Sequence, residues 1–116
     1  VILLEYTATW CAHCIEATAM MHNLVMKLNN NENVILLSIF SSSVDDKEKI
    51  LKFSEKYNIS NKILYNAQTI GDTYHVEGYP KFFIIDDVGI IVNQYRGYSE
   101  DLENTIFQKI SQLAKQ

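Results

Sequence analysis

Trp10-Cys11-Ala12-His13-Cys14 holds both cysteines of the 116-residue chain, in a C-x-x-C pattern. An apolar run that reads as a strand precedes it, and a run with helical periodicity follows. On a helix, residues i and i+3 share a face, so two sulfurs at this spacing can close a small disulfide ring at the first turn. That turn also carries unpaired amide N–H groups and the positive end of the helix dipole. Both favour a thiolate, so Cys11 is expected to have a lowered pKa and to be the nucleophile, with protonated His13 adding a second positive influence. The chemistry implied is a thiol–disulfide redox centre that needs no cofactor.

Upstream, residues 1–7 form a short apolar strand interrupted only by Glu5. An acid with apolar and aromatic neighbours, in a strand that leads into the motif, is expected to be buried beside the cysteines. The abrupt opening inside Val1-Ile2-Leu3-Leu4 reads as a domain cut from a longer precursor, so missing targeting segments decide nothing about location.

Downstream, residues 12–29 read as a helix whose buried stripe is Cys14, Ala17, Met21, Leu24, Val25 and Leu28. Met20, Met21 and Met26 read as core filling rather than a soft-metal site. His22 reads as a surface or half-buried helix residue. Val34 to Phe40 is a second buried strand, parallel to the first across the helical crossover. Ser43 or Asp45 can cap the next helix, with Asp46 or Glu48 as capping-box partner. This helix reaches about Tyr57 and buries Ile50, Phe53 and Tyr57. Asp45–Lys49 and Glu48–Lys52 are i,i+4 pairs on its solvated face.

Ile63-Leu64-Tyr65 is a short edge strand, and residues 67–74 suggest helical turns. Gly78-Tyr79-Pro80 contains the only proline and leads into the strand 81–85. A turn at 86–89 and a strand 90–95 complete a hairpin. Ser99 is placed to cap a last helix that buries Leu102, Ile106, Ile110 and Leu113.

Composition narrows the function. The length suits one domain, residues 1–116, and an apolar share of 47% is ordinary for a globular chain. A net charge of −4 argues against a nucleic-acid partner. No apolar run approaches the roughly 20 residues that span a bilayer. With both cysteines in one motif there is no separate structural disulfide, and the redox compartment stays open. A metal module built on Cys11, Cys14 and His22 or His75 is disfavoured, because structural zinc usually takes four ligands. No metal site is assigned. A non-catalytic interaction domain with a vestigial C-x-x-C is the other rival.

Trp-Cys-x-x-Cys after a buried strand, then Gly-Tyr-Pro before a hairpin and terminal helix, resembles the thioredoxin superfamily. The insert between the second strand and the proline resembles its TlpA/ResA-type branch, through segments such as Lys52-Phe53 to Tyr57-Asn58-Ile59, Tyr74 to Pro80 and Phe83-Ile84-Ile85-Asp86. The resemblance implies a three-layer α/β sandwich. Its mixed central sheet has core order 2-1-3-4, helices on both faces and an inserted α-β unit. It implies exchange with protein thiols and disulfides, a redox partner protein, a monomer, a possible membrane anchor beyond this chain, and an extracytoplasmic location in a bacterial periplasm or envelope.

The resemblance also assigns roles. Cys11 and Cys14 are the exchanging pair, and Glu5, six residues before Cys11, is the buried acid. Pro80 is the family's cis-proline, exposing the backbone of Tyr79 to a substrate strand. Trp10 shapes the surface beside the nucleophile. The scaffold suggests a reductase. Ala12-His13 between the cysteines resembles the disulfide isomerases and DsbA, which suggests a more oxidising couple.

Overall fold

The computed structural model describes residues 1–65 and 78–114. Among these residues, eight elements follow the expected order: β1 (Ile2–Thr7), α1 (Ala12–Leu28), β2 (Ile35–Phe40), α2 (Lys47–Lys56), β3 (Lys62–Leu64), β4 (Lys81–Ile85), β5 (Ile91–Arg96) and α3 (Leu102–Leu113). The strands form one sheet in the order β3-β2-β1-β4-β5. Leaving out the inserted β3, this is the expected core order. β1 pairs in parallel with β2, and β2 with β3, whereas β4 is antiparallel to both β1 and β5.

The insert lands at the edge for a topological reason. A parallel crossover is nearly always right-handed. Two successive crossovers that step outward from β1 therefore place α1 and α2 on the same face. Leu3, Phe82 and Ile84 meet Ala17, Met20, Met21 and Leu24 of α1 and Leu102, Ile106 and Ile110 of α3 on that face. Phe40 meets Ile50 and Phe53 of α2 there, with Ile15 of α1 alongside. On the opposite face Leu4, Tyr6, Ile39, Phe83 and Ile85 are buried, with Leu64 and Tyr79 packed against them. The helical turns expected at 67–74, and His75, lie outside the described residues.

Several local expectations need correcting. Asp46, not Ser43 or Asp45, caps α2 and accepts from the Lys49 amide at 2.8 Å. Asp45 is turned inward, 2% exposed, so the Asp45–Lys49 pair does not form, and Lys49 Nζ donates to the Val44 carbonyl instead. Glu48–Lys52 does pair, at 3.1 Å. Ser99 does not cap α3 through its side chain: its carbonyl takes the Leu102 N–H in a turn, and its hydroxyl donates to Asp101, the N-cap residue. Met26 is exposed, because it lies about 200° around the helix from the core residue Leu24. Tyr57 and Leu113 are only half-buried.

Candidate functional site

The parallel strands β1 and β2 deliver the chain to the same end of the sheet, and their following loops meet there. Side chains alternate along β1, so Leu3, Glu5 and Thr7 share the face that α1 covers. The strand then passes through Ala8, Thr9 and Trp10 into Cys11, which is the N-cap of α1 with extended backbone angles. Cys11 Sγ accepts a hydrogen bond from the Cys14 amide at 3.2 Å. The Cys11 carbonyl takes the Ile15 amide at 3.1 Å, the first helical bond. A sulfur at this position meets the free N–H groups of the first turn, and no acid in that turn opposes the dipole.

The two cysteines are unbridged and differ in setting. Cys11 is 9% exposed and Cys14 0%, so Cys11 is the more accessible of the two residues. Burial pushes the Cys14 thiol well above the usual range, and its hydrogen bond with Cys11 pushes it further. Hydrogen bonds with the Thr7 side chain and the Ala8 backbone pull partly the other way. Across the site, Cys11 donates to the Tyr79 carbonyl at 3.4 Å. The Tyr79–Pro80 peptide bond is cis, and Pro80 is fully buried. The proline segment thus folds over the leading sulfur.

Glu5 is buried, 3% exposed. Desolvation raises its pKa from the ordinary 4.5 to about 7, against a lowering hydrogen bond from Ser38 at 2.7 Å. Thr7, two residues further on the same face, is the residue whose side chain bonds Cys14. Trp10 is 59% exposed, stacked edge-on against Tyr79 at 5.8 Å. His13 is exposed, and its Nδ1 lies 2.8 Å from Glu16 Oε1 on the solvent side. His22 is half-buried on α1. Among the described residues, no three His, Cys, Asp or Glu side chains converge as metal ligands would.

Sequence reasoning missed the loop after β2. Ser41 exchanges a hydrogen bond with the Tyr79 hydroxyl at 2.9 Å, and Ser42 accepts from Trp10 Nε1 at 2.9 Å. Asp45 accepts from the Thr9 amide at 2.9 Å and also from the Thr9 hydroxyl. This loop ties down the approach to Cys11, its flanking tryptophan and the proline segment. Small polar residues at the carboxyl end of a parallel strand were the available signal, since sites in open α/β sheets gather there. Asp45→Ala leaves the Thr9 donors unpaired. It is expected to cost about 2 kcal/mol by denaturant unfolding and to make Cys11 alkylate faster, because the loop that holds it loosens.

Comparison with known proteins agrees with this fold. Thioredoxin-like protein YneN of Bacillus subtilis is 27% identical over 96 residues, 83% of this chain, and the chain spans only 56% of YneN. A candidate thiol:disulfide interchange protein DsbE from Chlorobium tepidum superposes with a TM-score of 0.88 at 19% identity, over 98% of this chain and 79% of that one. A secreted Mycobacterium tuberculosis disulfide oxidoreductase homologous to Escherichia coli DsbE gives 0.77 at 19% identity, over 97% and 81%. StoA from Bacillus subtilis gives 0.78 at 15% identity, over 92% and 81%. At such identities these structures establish the fold, which is thioredoxin-like. The model of the AhpC/TSA family matches residues 1–94, most of the chain, and the chain belongs to that family.

Proposed function

We propose that this protein is a thiol–disulfide oxidoreductase that reduces protein disulfides through Cys11 and Cys14, in the manner of the TlpA/ResA-type enzymes. One observation carries the reading. An accessible sulfur sits at the start of a helix, between the Cys14 amide and the Tyr79 carbonyl, with a second, fully buried thiol behind it.

The steps follow from the settings of the groups. Cys11 thiolate attacks one sulfur of a substrate disulfide. That S–S bond breaks, a Cys11–substrate disulfide forms, and the first substrate thiolate leaves. Cys14 then loses its proton to Glu5 and attacks Cys11 Sγ. The second substrate thiolate leaves and takes up a proton. The substrate has gained two electrons, and Cys11–Cys14 is a disulfide that a redox partner protein must reduce. Glu5 suits the middle step, since a carboxyl that titrates near 7 can accept a proton at neutral pH. Glu5 and Thr7, whose side chain bonds Cys14, are successive same-face positions on β1 about 6.7 Å apart, so Glu5 lies on the Cys14 side of the sheet and is assigned the Cys14 proton through a bridging water.

Tyr79 and Pro80 present a strip of backbone beside the reacting sulfur, suited to pairing with an extended substrate. Exposed Trp10 forms the adjoining apolar wall. The names of the structural neighbours, one of them secreted, support an extracytoplasmic setting in the periplasm or envelope.

His13 favours a second reading, an oxidant or isomerase, because a cation beside Cys11 stabilises the reduced form. Its pairing with Glu16 at the surface weakens that influence. The reduction potential of the Cys11–Cys14 couple, measured by equilibration with glutathione, decides between them. A value near −270 mV is expected for the reductase, and one near −120 mV would replace that reading with the oxidant. His13→Pro is expected to lower the potential by no more than about 30 mV, a tenfold change in equilibrium constant.

A further inference from the structure

We propose that Asn61, at the edge of the inserted α-β unit, is a positioning residue that acts through Ser38 to set the proton affinity of Glu5, and with it the pH dependence of the Cys14 step. The last clause rests on the role given to Glu5 above.

The argument starts from one nitrogen. Asn61 Nδ2 lies 2.8 Å from Ser38 Oγ and 3.1 Å from the Lys62 carbonyl oxygen. A carbonyl oxygen can only accept, so the atom facing it must be the amide nitrogen, which fixes the orientation of the side chain. The same nitrogen therefore donates to Ser38. A hydroxyl has one proton and two lone pairs: one lone pair takes the Asn61 amide, and the proton goes to Glu5 Oε1, 2.7 Å away. Asn61 thus holds a rotor that could otherwise turn. A donor fixed on the carboxylate favours the charged form and opposes desolvation.

Ser38 is 1% exposed and in register with Glu5 across β1 and β2, so water does not compete for this contact. Glu5 Oε2 has no hydrogen-bond partner among the described residues, which leaves Ser38 as its counterweight to burial. The other in-register neighbour of Glu5 is Phe82 on β4, and its same-face neighbours on β1 are Leu3 and Thr7, all uncharged. The titratable groups nearest on the other packed elements are Cys14 and half-buried His22 on α1, Tyr95 on β5, in register with Phe82 on the same face, and Lys62 on β3, while Lys27 of α1 and Glu103 of the terminal helix pair with each other. Lys62 is exposed and in register with Leu37, on the opposite face from Ser38.

The test is a pH titration of the Glu5 side-chain carboxyl carbon by NMR, beside the pH–rate profile of disulfide exchange. Wild type is compared with Asn61→Ala, Asn61→Asp, Ser38→Ala and His22→Gln. Asn61 is partly exposed, so its variants fold even where Ser38→Ala does not. Removing the Ser38 donor is expected to raise the Glu5 midpoint by about one pH unit. Asn61→Ala raises it by a smaller amount. Asn61→Asp raises it further than Asn61→Ala, because a second carboxylate competes for the serine proton. His22→Gln leaves it in place. The pH–rate midpoint moves in parallel.

An unmoved carboxyl midpoint in both Asn61 variants overturns the inference, as does a midpoint that follows His22→Gln instead. A carboxyl midpoint that moves while the rate profile stays supports the control by Asn61 and overturns the catalytic role of Glu5. A change in fold stability alone moves neither midpoint.

Discussion

Cys11→Ser is expected to abolish disulfide exchange, while Cys14→Ser yields a protein that attacks once and remains attached to its substrate. The asymmetry comes from where the sulfurs lie. Cys11 is the more exposed of the two residues, and its sulfur accepts the Cys14 amide, a backbone donor that stabilises charge. A serine hydroxyl there is a far poorer nucleophile than a thiolate at neutral pH. Cys14 is sealed behind it, and burial holds its thiol protonated. It cannot meet a substrate but can meet Cys11. Without it, the mixed disulfide lacks its intramolecular rescuer and accumulates. Non-reducing electrophoresis after incubation with an oxidised protein substrate reads both outcomes. Equal activity of the two variants would refute the assigned order, and adducts on Cys14 in Cys11→Ser would reverse it.

The second large effect is at Glu5, and it has opposite signs for function and stability. Glu5→Gln removes the proton acceptor for Cys14, and general-base catalysis is typically worth about 10²-fold or more. The resolving step at pH 7 is expected to slow by about that factor, with loss of the rate inflection near pH 7. The same substitution should stabilise the fold in alkali. The native carboxyl holds its proton up to about pH 7, whereas the unfolded one releases it near 4.5. Between those values the native state binds more protons, so wild-type stability is full below about 4.5 and declines as pH rises through 7. At about 1.4 kcal/mol for each pH unit between the two values, the decline totals about 3 kcal/mol. A glutamine does not ionise, can still accept from Ser38, and escapes the decline. Urea unfolding at pH 8 is expected to show Glu5→Gln more stable than wild type by up to about 3 kcal/mol, and at pH 4 to show little difference. Equal pH dependence of stability in the two proteins would mean that Glu5 is not the buried acid described here.

Much of this was legible in the chain because the signals are local. Short continuous apolar runs and period-3.6 runs located the described strands and helices to within a residue or two, save that a Ser43 cap would start α2 three residues early. Spacing alone put Cys14 one turn after Cys11, and neighbours alone indicated that Glu5 was buried. The failures came where two local signals competed. Ser43, Asp45 and Asp46 are all acceptable caps for α2, and nothing nearby says that Asp45 is taken by Thr9, 36 residues away. Likewise Ser99 is a good cap by type, but a backbone turn consumed its position. By its place between the cysteines His13 is expected to act on Cys11, but on the helix it pairs with Glu16, three residues on, at the surface.

By itself, then, the amino-acid order determined the element sequence, the spacing of Cys11 and Cys14 at a helix start and the burial of Glu5, since each depends on residues within one strand or one helical turn. The tertiary structure alone decided what surrounds that pair. Ser41, Ser42 and Asp45 reach the site because two parallel strands end side by side, and Asn61 reaches Ser38, the partner of Glu5, because the insert adds its strand at the edge of the sheet. Contacts between segments distant in sequence are set by which faces bury together, and no short window of residues contains that information.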